Sequence, residues 1–62
     1  MPGLFNPNSY ARAAGCRGHN LEVHFVNVQD MYVWIELVKY GEVVWQCNPE
    51  FFASHFEQEG AG

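Results

Sequence analysis

The chain has 62 residues, 48% of them apolar, and a formal net charge of −4. It is too apolar for a disordered tail, and so short that folding buries only about 60% of the surface its unfolded form exposes, so support from a disulfide, a metal or a neighbouring molecule is expected. With Arg12, Arg17 and Lys39 as its fixed cations it lacks the clustered basic charge that binds nucleic acid, and no apolar run approaches the ~20 residues that span a bilayer.

Two cysteines, Cys16 and Cys47, are too few for a secreted disulfide scaffold, and no leading basic-then-apolar stretch looks like a signal peptide. The expected setting is a reducing cytoplasm. Charge is unevenly placed: residues 1–21 carry Arg12 and Arg17 and no acid, and the acids all follow from Glu22 onward. This polarity favours docking of the first segment on the rest.

Residues 1–20 are rich in Gly, Pro and Asn and read as an irregular arm with at most one short helix. Asn8 or Ser9 caps Tyr10–Ala14, and Gly15 supplies a left-handed stop. From Leu21 the apolar period becomes two, through Val23 and Phe25, and the strand runs to about Val28. Gln29 and Asp30 mark a turn. The β-branched and aromatic run Tyr32–Val38 then makes a central strand. Lys39-Tyr40-Gly41 reads as a three-residue hairpin loop with Gly41 left-handed, pairing Val38 with Glu42, and the third strand is Glu42–Cys47.

That register has consequences, because opposed residues share a face. Leu37 should meet Val43, Ile35 should meet Trp45, and Val33 should meet Cys47; across the first hairpin, Phe25 should meet Ile35 and Val23 should meet Leu37. The odd-numbered face is then the core. Asn48-Pro49-Glu50 starts a helix over 49–59, with Asn48 as cap, Pro49 preset in φ, and Gly60 as stop. Its stripe of Phe51, Phe52, His55 and Phe56 should lie on the odd face. The expected fold is α+β, one domain over 1–62: a small three-stranded antiparallel meander (21–47), a C-terminal helix packed on one face, and the irregular arm.

The even-numbered face is more apolar than a sheet facing water requires. Val26, Tyr32, Trp34, Val38 and Val44 form a candidate interaction face centred on Trp34. Either the arm, with Leu4, Phe5 and Tyr10, folds across it, or another copy or another protein does.

Three kinds of chemistry compete with ordinary structural roles for these side chains. Cys16, His19, Cys47 and His55 offer the donor types of a zinc site, but their spacing matches no recognised finger, and the favoured reading is a core role for Cys47, a loop thiol at Cys16 and surface or hydrogen-bonded histidines. No cofactor is expected. Cys16 with His19, or His24 opposite Glu36, pairs a nucleophile or base with a partner, yet small chains offer such pairs by chance, and no phosphate loop or nucleophile elbow is present. No enzyme is expected. Arg12, Arg17 and His19, with Trp34 or Tyr32 stacking on a base, suit a small anionic ligand such as a nucleotide bound between subunits; the plainer alternative is that the arginines pair with the acidic body.

Residues 41–57, Gly41-Glu42-Val43-Val44-Trp45-Gln46-Cys47-Asn48-Pro49-Glu50-Phe51-Phe52 through Phe56-Glu57, resemble the ends of short uncharacterised phage and prophage proteins, with a Gly-Glu strand, a Cys-x-Pro step and a Phe-containing helix. The resemblance implies a small accessory protein that binds a host enzyme or defence component, and it assigns no functional residue. The expected function is therefore a non-enzymatic, self-associating interaction protein that docks on a larger protein and blocks or modulates it. The alternative is an oligomeric binder of a small anion.

Overall fold

In the computed structural model, residues 3–29 and 32–59 are described. The chain order is β1 (Phe5–Pro7), α1 (Ser9–Ala14), β2 (Glu22–Gln29), β3 (Tyr32–Lys39), β4 (Glu42–Cys47), α2 (Pro49–His55) and β5 (Phe56–Gln58). Strands β2-β3-β4 form the antiparallel meander and β1 pairs with β5 in a second, two-stranded sheet. The fold is α+β, as the pattern of periods implied. The expected turn residue Asp30 and stop residue Gly60 lie outside the described residues.

Both helices start as their caps dictate. The Asn8 side chain accepts from the Ala11 amide at 2.9 Å and that of Asn48 accepts from the Phe51 amide at 2.7 Å, each satisfying a donor that the first turn leaves open. Gly15 ends α1 at φ 117°, returning its amide to the carbonyls of Ala11 and Arg12. The arm is less irregular than expected. Ahead of α1 it forms β1, and Phe5 exchanges two backbone bonds with Leu21, at 2.9 and 2.8 Å, which join the two sheets.

The first hairpin has the expected register, with Phe25 opposite Ile35 and Val23 opposite Leu37. The second does not. Lys39, not Val38, opposes Glu42, so Tyr40 and Gly41 alone make the turn. Both have positive φ, 52° and 79°, the pattern of a turn whose twist matches its flanking strands. A non-glycine residue is disfavoured there, which is why the sequence pointed to a longer loop. The mismatch is absorbed by a bulge: Val38 opposes Val43, Leu37 opposes Trp45, and Ile35 opposes Cys47. Val43 therefore shares a face with Val38, not with Leu37.

The core is the odd face, built by Leu21, Ile35, Leu37 and Cys47 with Ala11, Cys16 and Phe56. Phe5, Val23, Trp45, Phe51 and Phe52 pack around it. The arm thus covers the same face as α2, not the even face. It is held against α2 by rings: Phe5 lies 4.8 Å from Phe52 and Tyr10 stacks on His55 at 4.4 Å. The helix expected over 49–59 stops at His55, and the next residues leave as β5 along β1. Asn8 donates to the His55 carbonyl at 2.9 Å and Glu59 to the Leu4 carbonyl at 2.7 Å, bonds that replace those of the missing last turn. Among the described residues no helix is long and apolar enough to cross a membrane.

Candidate functional site

The register places apolar side chains in unexpected positions. Because Cys47 pairs with Ile35 and not with Val33, β4 ends before the far end of the β2–β3 hairpin, which continues as a two-stranded ribbon. Val33, within that ribbon, and Phe25, where it begins opposite Ile35, were expected in the core and are 47% and 67% exposed. On the opposite side of the same ribbon Val26 and Trp34 are half-buried. An exposed hairpin end with apolar residues on both faces is what strands show when both sides become covered.

The expected interaction face is also open, since both helices and the arm pack on the other side. Trp34 donates its indole N–H to Gln46 Oε1 at 3.1 Å, which fixes the ring across the strands. Val44 is exposed, and Val43 joins it. Val38, between Glu22 and Val43 on its neighbouring strands, is only 4% exposed and offers little surface. The side chain of Tyr32, the first residue of β3, lies outside the described set.

The fold does not gather the possible metal ligands into one site. Cys16 and Cys47 are buried as free thiols in the core, His19 lies at the surface beside Arg12, and His55 sits between the rings of Tyr10 and Phe51. No group of three metal-binding side chains is brought together among the described residues. The catalytic pairs are not assembled either. His24 does oppose Glu36, but its Nε2 contacts Glu22 at 3.3 Å.

Burial pushes the Cys16 thiol up, with the Arg12 guanidinium partly opposing. Burial, then the neighbouring Cys16, pushes Cys47 up to about 11; the Trp45 indole, otherwise without an acceptor among the described residues, opposes this from the sulfur. Such thiols are poor nucleophiles at neutral pH. The native state holds the Cys47 proton more tightly than the unfolded state, so folding stability from this source is intact below pH 9.0 and is lost as pH rises to about 11. Thermal melts at successive pH values should show Tm falling more steeply over that interval in the wild type than in Cys47→Ala. Equal slopes in the two proteins would remove Cys47 as the cause.

The anion candidates are partly assembled. Arg12, at the end of α1, donates through Nη2 to the Gly18 carbonyl at 3.2 Å and meets His19 Nδ1 at 3.3 Å. Lys39, which the sequence did not single out, reaches the same loop: its Nζ donates to the His19 carbonyl at 2.8 Å. The proposed base-stacking residues are elsewhere. Trp34 lies five positions before Lys39 on an extended strand, a separation of about 16 Å at ~3.3 Å per residue, so one chain does not bring ring and cations onto one nucleotide. No protein-family model, curated protein or solved structure matches the chain.

Proposed function

We propose that this protein is non-enzymatic and acts through surface contact: it pairs with a second copy of itself through the end of the β2–β3 hairpin, and the assembly docks on a larger protein that it blocks or modulates. The observation that carries the reading is the two-sided apolar ribbon, with Phe25 and Val33 on one face and Val26 and Trp34 on the other. A second copy fits it on charge. Among the described residues the odd side of the hairpin end, Phe25, Asn27 and Val33, bears no ionisable group, so two chains of net charge −4 can meet there without opposing like charges. It fits also on size, because a domain this small gains stability by burying apolar surface against a neighbour. The resemblance of residues 41–57 to short uncharacterised phage and prophage proteins implies a small accessory protein, which is in line with a blocking role in a host cytoplasm.

Light scattering and thermal melts of Phe25→Ser and Trp34→Ala test this. Phe25 is largely exposed, so its replacement should leave the monomer's fold intact while weakening association roughly 30-fold, the equivalent of about 2 kcal/mol for an interface anchor. Trp34→Ala should weaken association to a similar degree. A wild type that stays monomeric at high micromolar concentration would overturn self-association.

A further inference from the structure

The fold gathers all of the chain's lysine and arginine, three residues in all, at the loop joining α1 to β2. Arg12 braces the loop from the helix side and Lys39 from the end of β3, while Arg17 lies within it, exposed. The loop has a defined shape. Gly18 and Asn20 take positive φ, 104° and 55°, and the Asn20 amide donates to Asn6 Oδ1 at 2.7 Å.

Among the described residues the partners of these cations include no carboxylate. Arg12 and Lys39 donate to backbone carbonyls and to the His19 ring, which position the charges without cancelling them. Arg17 has no partner among the described residues, and no carboxylate there lies within ion-pair distance of Arg12, Arg17 or Lys39. The expected alternative, arginines paired with the acidic body, is therefore not what the fold builds among the described residues. Guanidinium and ammonium groups carry five and three donors, so most donors here remain open toward solvent.

We propose that this loop binds a phosphate group through Arg12, Arg17 and Lys39, with His19 at its edge. A tetrahedral, multiply charged oxyanion can accept from several converging donors at once, and arginine forks match its geometry. A long polyanion is disfavoured, because beyond this one pole the chain is acidic. The ligand is a small phosphate compound, either a monoester or a free polyphosphate. The site is independent of the apolar hairpin end and stands or falls separately from the proposed self-association.

The test is an amide-resolved NMR titration of the full chain with pyrophosphate and with phenyl phosphate at constant ionic strength, and with acetate as the control anion. Saturable shifts confined to Arg12, Arg17, Gly18, His19 and Lys39 are expected for at least one phosphate probe, and the tighter of the two identifies the free or esterified form. Arg17→Gln should weaken binding about tenfold, as for one charge-assisted contact, without lowering Tm, because Arg17 supports no other described residue. Shifts that acetate reproduces, shifts that do not saturate, or an Arg17→Gln variant that binds as tightly as the wild type would each overturn the proposal.

Discussion

Leu37→Ala is expected to remove roughly half of the domain's folding stability. Leu37 is fully buried on the central strand, among Ile35, Leu21 and Cys47 on the core face, and its truncation should cost about 2–5 kcal/mol. At about 0.05–0.15 kcal/mol per residue, a domain of 62 residues has only roughly 3–9 kcal/mol in total. The informative control is Phe25→Ala. It lies on the same face and is the larger side chain, yet at 67% exposure it should cost well under 1 kcal/mol. Urea unfolding of both variants, at concentrations where the protein is monomeric, separates the two positions. Comparable losses at Phe25 and Leu37 would mean that the core extends along the whole hairpin, and that the end of the ribbon is not free surface.

That contrast also shows where the sequence stops being informative. Alternation along Val23–Phe25 and Val33–Leu37 identified the buried face and the pairing of β2 with β3, because a slip of one residue would turn every side chain over. Alternation has nothing to say about how far along the face the cover reaches. That depended on the turn at Tyr40-Gly41, where two residues with positive φ were used in place of three, and on the bulge that followed. The resulting shift moved Cys47 from Val33 to Ile35 and left Phe25 and Val33 uncovered. Lys39 escaped notice for a related reason. It stands twenty positions after His19, and only the return of β3 alongside the start of β2 brings its ammonium to that carbonyl. The caps at Asn8 and Asn48, being local, were readable.

Phe56→Ala should be as damaging as any core truncation, although Phe56 sits outside the three-stranded meander. The sequence placed Phe56 in the last turn of a helix. Its amide does complete the helical bond to the Phe52 carbonyl, but its own φ and ψ, −129° and 143°, turn the chain into β5 opposite Pro7. Local propensity lost to tertiary pairing at this point: the residues flanking β1 supply a donor for the His55 carbonyl, from Asn8, and an acceptor for the Glu59 amide, on Leu4, and Asn6 donates to Glu59 Oε1 at 2.8 Å. The Phe56 ring, 7% exposed, is what the new direction buries. It stacks with Phe52 at 5.5 Å and lies 6.5 Å from Phe51, so it closes the core where arm and C-terminal segment meet. Its removal should cost about 3–5 kcal/mol, whereas Phe56→Leu, which keeps most of the volume, should cost less than about 1.5 kcal/mol. Amide exchange supplies the structural readout. In the wild type the Asn8 and Glu59 amides should both be protected, and in Phe56→Ala both should exchange at rates near those of the unfolded chain. A Glu59 amide that exchanges freely in the wild type would mean that β5 does not hold to β1 in solution, and the cost assigned to Phe56 would then have to come from the helix alone.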